Sequence, residues 1–291
     1  MKKSRKAIVA VVAVVVLGAI VFAISHAAKN GRDAEPSQGG APSEPPLNIS
    51  IMLDLSDRIL KQGPDDHMEQ WEKDTTLIGY IRDWFIDRQF AHHFQSGDRL
   101  HVFCYPTPDL PNILQLQDSL TVDLSLGQGS KLTAVSRNKD QLLAMPSVWH
   151  RSLESVYLAA LPVARQVGSD VWGFFDQRAK MQCVKPGYRN ILVIFTDGYL
   201  YSANSWQGKG MAFAGISETR TLSQTAILPV LDSLDGLEVL FCEINPKASG
   251  HFQHMRTLLT EWCHGMGIRH VDVLETAMPG DNKRGLLDFF N

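Results

Sequence analysis

From Asn48 onward the chain alternates short apolar runs with longer stretches of helical spacing. Residues 48–53 are apolar and β-branched and stop at Asp54, so they read as a strand. Within 66–90, Leu77, Ile78, Ile81, Trp84 and Phe85 recur every three or four positions, which predicts a helix. Residues 100–105 are strand-like. Residues 119–126 place Leu120, Val122, Leu124 and Leu126 on alternate positions, the pattern of a half-exposed strand. A mostly helical stretch covers 139–167, with a break expected near Pro146 because an internal proline removes a ladder donor. A shorter helix is expected over 171–181.

Residues 191–196 (Ile-Leu-Val-Ile-Phe-Thr) form a continuous apolar run, as in a strand covered on both faces. A helix follows over 221–234, through Ile227, Val230, Leu231 and Leu234, and then a strand over 237–244. Residues 251–266 are amphipathic, with Phe252, Met255, Leu258, Leu259, Trp262 and Met266 on one stripe. A last strand over 270–274 and a last helix over 283–290 complete the series. Alternation of this kind predicts an α/β fold: a doubly wound, mostly parallel sheet with helices on both faces. Such sheets bind ligands beyond the carboxyl ends of their strands, where strand order reverses. The loops after Leu53, Thr196 and Ile244 are therefore where chemistry is expected.

The first 47 residues follow a different logic. Lys2, Lys3, Arg5 and Lys6 precede an unbroken apolar run over 7–24. A run of that length sits at the lower edge of what crosses a ~30 Å hydrocarbon core. It reads as an uncleaved signal anchor, with cleavage after Ala27 as the alternative. The basic cluster would stay in the cytoplasm and place the rest outside it. The expectation is thus a single-pass protein of the inner membrane with a periplasmic domain. Residues 25–47 are rich in Pro, Gly and Ser and nearly lack large apolar residues, so they read as a flexible tether. Three segments result: 1–24, 25–47 and 48–291.

Charge sharpens the picture. The chain of 291 residues carries 28 basic and 31 acidic residues, net −3. Six basic and three acidic residues fall in 1–47, which leaves the remainder at net −6. No nucleic-acid partner is expected without a basic surplus. No Gly-x-Gly-x-x-Gly or P-loop pattern follows any strand, so no nucleotide is expected either. Of the four cysteines, Cys104 and Cys242 lie in strand-like runs and read as buried thiols. A bridge between Cys183 and Cys263 stays open at this level.

The chemistry-bearing residues cluster at strand ends. The first strand ends in Asp54-Leu55-Ser56-Asp57-Arg58, and the central strand in Thr196-Asp197-Gly198. Gly168-Ser169-Asp170 opens the helix before that central strand. Asp54, Ser56, Ser169 and Asp197 would bring two carboxylates and two hydroxyls to one sheet edge. Hard oxygen donors of this kind suit Mg2+ or Mn2+ and not zinc.

In these motifs the chain resembles the von Willebrand factor A (vWA) domain family. The family's metal-ion-dependent adhesion site has Asp-x-Ser-x-Ser after the first strand, a Thr before a helix, and an Asp in Thr-Asp-Gly. Asp54, Ser56, Ser169 and Asp197 stand at those positions, with Ser169 in place of the Thr. The resemblance implies a six-stranded sheet with one antiparallel edge strand, over 119–126. It also implies a binding module rather than an enzyme, in which an acidic residue of a protein partner completes the metal shell.

Arg58 departs from the pattern, which has a second metal-binding Ser there. A guanidinium has donors only and cannot ligate a cation. Two unit charges ~4 Å apart interact by ~4 kcal/mol at an effective dielectric of ~20, and a divalent ion would feel about twice that. Arg58 either faces the site and bridges Asp54 to Asp197 in place of metal, or swings out to solvent and leaves Asp57 to help hold an ion.

His251, His254, Cys263 and His264 share a predicted helix, but nine residues separate His254 from Cys263, about 13 Å along its axis. They do not read as a zinc site. Residues 199–219 hold Tyr199, Tyr201, Trp206, Met211 and Phe213, which suits either a binding rim or a cover over the sheet edge. The function expected is a membrane-tethered module that binds a protein partner. The alternatives are a metal-dependent phosphoester hydrolase and a scaffold subunit with a vestigial, metal-free site.

Overall fold

The structure is a computed structural model that describes residues 44–60, 68–125, 131–167, 169–199, 201–202, 211–212, 233–246 and 250–291. The chain divides into two units, Met1–Glu44 and Pro45–Asn291. The apolar run over 7–24, the tether up to residue 43, most of the aromatic stretch and all but the last two residues of the helix expected over 221–234 lie outside the described residues. Among the described residues, no helix is long and apolar enough to cross a membrane.

Six strands build the main sheet of the second unit. They are β1 (Leu47–Leu53), β2 (Arg99–Cys104), β3 (Thr121–Asp123), β4 (Arg189–Phe195), β7 (Leu237–Ile244) and β8 (Val271–Glu275). Between β4 and β7 lie the two-residue strands β5 (Tyr201–Ser202) and β6 (Met211–Ala212), which pair with each other. The order across the main sheet is β3-β2-β1-β4-β7-β8, and only β3 runs antiparallel to its neighbour. The chain winds outward from β1 to one side, returns to β4, and winds to the other. The reversal point therefore lies between β1 and β4.

The helices are α1 (Gln70–Ala91), α2 (Ile113–Ser119), α3 (Lys131–Ala160), α4 (Ala164–Val167), α5 (Val171–Gln177), α6 (Ala179–Cys183), α7 (Phe252–Gly265) and α8 (Pro279–Asp288). Strand side chains alternate between two cores. Ile49, Ile51 and Leu53 with Ile191, Val193 and Phe195 face α1, α3 and α8. Met52, Leu192, Ile194, Val239 and Phe241 face α5, α6 and α7. Every position of β1 is buried because both faces are covered, the polar Asn48 and Ser50 included.

Three expectations need correction. The helix expected to break at Pro146 runs unbroken from Lys131 to Ala160. Pro146 is exposed while Leu142, Met145, Trp149 and Leu153 are buried. The proline costs the helix one ladder bond, and packing of these side chains on both sides of it holds the axis. The strand expected over 119–126 is only Thr121–Asp123, because α2 occupies the residues before it. The alternation was still meaningful, since Leu120, Val122 and Leu124 are all buried. The single helix over 171–181 is two, α5 and α6, which meet at Arg178. All four cysteines are free and buried, so no bridge joins Cys183 to Cys263.

Candidate functional site

Asp54 leaves the carboxyl end of β1, in the centre of the sheet, and is fully buried. Its backbone N–H still donates to Phe195 O on β4 at 3.0 Å, so the two strands stay in register to the edge. The chain then turns sharply. The Ser56 N–H donates to Asp54 Oδ1 at 2.9 Å, a side-chain-closed turn that leads into the one-turn 3-10 helix Asp57–Ile59.

The other Asp54 oxygen gathers hydroxyls from two remote segments. Ser169 Oγ donates to Asp54 Oδ2 at 2.7 Å, and Thr196 Oγ1 donates to the same atom at 2.9 Å. Ser169 is placed by the start of α5. The Asp170 carboxylate caps that helix by accepting from Gly173 N at 3.0 Å. A Cβ at position 173 would overlap the Asp170 carboxylate and push it out of the cap.

Asp197 follows Thr196 and sits at the rim, partly exposed. Its Oδ1 accepts from the Tyr199 N–H at 3.0 Å across a turn whose middle residue, Gly198, has φ +89°. Burial and the neighbouring Asp54 charge push the Asp197 carboxyl up to about 6, against the pull of the Tyr199 N–H and Arg58. Two carboxylates at one strand edge thus repel each other. Asp54, Ser56, Ser169 and Asp197 all come to the reversal point of the sheet, and Thr196 joins them.

Arg58 takes neither of the two positions expected for it. It is buried, 3% exposed, and turns beneath the site instead of into it or out to water. Its Nε donates to the Asp54 backbone carbonyl at 2.8 Å, and its Nη2 donates to Asp74 Oδ2 on α1 at 2.5 Å. Asp74 is fully buried and accepts two further donors: the Tyr157 hydroxyl of α3 at 2.6 Å and Gln70 Nε2 at 3.0 Å. Burial by itself would lower the Arg58 pKa, but Asp74 first, with Tyr157 and Asp54, outweighs it and the guanidinium stays charged.

Gln70 extends the network to Glu243 on β7, whose Oε2 accepts from Gln70 Nε2 at 3.0 Å and from Thr276 Oγ1 at 2.8 Å. Glu243 has φ +67° and stands where the β7–β8 register shifts. Burial first, and Asp74 second, push its carboxyl up.

The sequence marks Thr196 as a strand end and not as a site residue, and Asp74 is not singled out there. Asp74 carried a signal: it lies on the stripe of Leu77, Ile78 and Ile81, and an acid on an apolar stripe calls for a buried partner. Asp57 is exposed at the start of its turn. Among the described residues, no group of three or more His, Cys, Asp or Glu side chains stands ready to hold a metal, the histidines and Cys263 of the α7 region included.

No protein-family profile matches the chain, and no curated protein matches it. Two solved structures of the pilus adhesin SpaC from Lactobacillus rhamnosus GG are similar to it, one of them in an open conformation. They share 10% identity with it, at TM-scores of 0.35 and 0.34. The alignments cover 85% and 84% of this chain but only 31% and 30% of the adhesin, so the chain spans about a third of that protein's length.

Proposed function

We propose that the domain is a vWA-like binding module that grips a protein partner at the carboxyl edge of β1 and β4 through a Mg2+ or Mn2+ ion. One observation carries this reading: Ser169 and Thr196 converge on the Asp54 carboxylate beside Asp197, with no cationic side chain donating to either carboxylate among the hydrogen bonds described. Asp54, Ser56, Ser169 and Asp197 would hold the ion, directly or through water, as a hard cation prefers. The pairing of Arg58 with Asp74 supports the reading, because it removes the charge that most opposes a cation there. An acidic side chain of the partner would fill the remaining coordination position. Residues 7–24 would anchor the domain to the inner membrane and residues 25–47 would tether it on the periplasmic side.

A second reading, a scaffold with a metal-free site, draws support from the three donors that Asp54 already has. Calorimetric titration of the chain with Mg2+ and with Mn2+ separates the two. The binding reading expects saturable heat in the wild type and none in Asp54→Ala. Silence toward both ions in the wild type decides for the scaffold, and turnover of a phosphate ester would instead revive a hydrolase.

A further inference from the structure

The least expected residue beside the site is the arginine at the turn after β1, and its surroundings look built to manage it. We propose that Asp74 is a positioning residue that parks Arg58 beneath the Asp54–Asp197 pocket so that a divalent cation can enter, and that without Asp74 the guanidinium itself moves into the pocket. This inference rests on the ion-binding reading above for its consequence, but the movement of Arg58 is independent of it.

The geometry argues for a holding device. Arg58 is fastened at two atoms, by the Asp54 carbonyl at Nε and by Asp74 at Nη2. The Asp74 carboxylate is in turn fixed by Tyr157 and Gln70, from α3 and from the first turn of α1. Those contacts come from elements on one face of the sheet, so the carboxylate has no freedom to follow Arg58 elsewhere. Both members are nearly inaccessible to water, at 3% and 0% exposure. A buried guanidinium that loses its carboxylate is left with an uncompensated charge.

Glu243, which also interacts with Arg58, already accepts from Gln70 and Thr276, so the alternative anions at the site are Asp54 and Asp197. Both already interact electrostatically with Arg58 in the resting arrangement. The Nε contact keeps the side chain pivoted at the Asp54 backbone, so rotation about the outer torsions is the motion required. Arg58 is thus a built-in competitor for the cation position, and the competition is set by what happens at Asp74, on a different element. Deletion of the arginine alone would not expose this: only removal of its counterion does.

The test uses full-length chain carrying Asp74→Asn, alone and combined with Arg58→Met, with Mg2+ as the probe. Asp74→Asn should weaken Mg2+ binding by about tenfold or more, since it adds a unit charge at the site. The double variant should recover to within about threefold of wild type, because the competing charge is gone. A merely structural role for Asp74 would leave the double variant as weak as the single one, and that result overturns the proposal.

A crystal structure of Asp74→Asn should show the Arg58 guanidinium at salt-bridge distance from Asp54 or Asp197. A guanidinium still at position 74 overturns the proposal whether or not metal binds. If wild type takes up neither Mg2+ nor Mn2+, the ion-binding reading fails while the crystal structure still decides the movement. Should Asp74→Asn not fold, Tyr157→Phe loosens the same carboxylate more gently. It should weaken Mg2+ binding in the same direction, and Arg58→Met should again reverse it.

Discussion

Thr196 donates its hydroxyl to the carboxylate of Asp54 at 2.9 Å, from the end of the neighbouring strand and 142 positions away in the chain. Both residues are fully buried, so neither finds water as a substitute partner. Replacement by an isosteric apolar residue leaves the carboxylate with one donor fewer. Thr196→Val is expected to cost about 1–3 kcal/mol of stability. Urea denaturation of the two proteins measures it, and a difference near zero would mean that this hydrogen bond does not hold Asp54.

Asp197 makes stability depend on pH in a defined direction. Its carboxyl titrates at about 6 in the folded chain against an ordinary 3.8. Between those values the folded chain keeps a proton that the unfolded chain has lost. Stability therefore falls as pH rises through this window and levels off above about 6. In chelator, urea midpoints at several pH values should show that fall in wild type and lose it in Asp197→Asn. An unchanged slope in the variant would assign the effect to another group.

Gly198 has a φ of +89°, and a Cβ there would stand 2.5 Å from Met255 Sδ and 3.2 Å from Ile244 Cδ1. Gly198→Ala combines left-handed strain with an overlap in a packed region, which together cost about 2 kcal/mol or more. Since Gly198 sits in the turn that aims Asp197, ion affinity should fall with stability. Thermal melts with and without Mg2+ read both effects.

Trp262 is fully buried and packs edge-on against Phe175 with ring centroids 5.0 Å apart. It joins α7 to α5, the helix that positions Ser169. Trp262→Ala should cost about 3–5 kcal/mol through the cavity it leaves. Chemical denaturation checks this, and a loss under about 1 kcal/mol would show that the neighbours collapse into the space.

The four cysteine thiols are free and buried, and burial pushes Cys104 and Cys183 up to about 12. An aromatic disulfide reagent at pH 8 should leave the native chain unmodified and react once it is unfolded. Fast reaction in the native state would contradict the burial described.

How much of this was legible beforehand differs by level. Alternation of apolar runs marked the five longer strands of the sheet within a residue or two, most plainly β4, where burial on both faces leaves a continuous hydrophobic signature. The carboxylates and Ser169 were legible for a different reason: short motifs at strand ends, in an order that the winding rule brings together. The break expected at Pro146 and the strand expected over 119–126 differ from the fold where a local preference meets tertiary packing. A proline costs its helix one bond, and Leu142, Met145 and Trp149 on the sheet outweigh it.

Arg58 shows the limit most clearly. Its charge and its place after β1 were evident, and both positions considered for it lay at the site or in water. The position it takes depends on Asp74 and Tyr157, which are 16 and 83 positions from their partners Arg58 and Asp74. Composition, periodicity and motif order are properties of neighbours along the chain, and they determined the layered α/β architecture and the edge at which its chemistry gathers. Which acid faces which base in the interior is decided by distances across packed elements. A buried charge goes to whichever counterion the completed fold holds within reach.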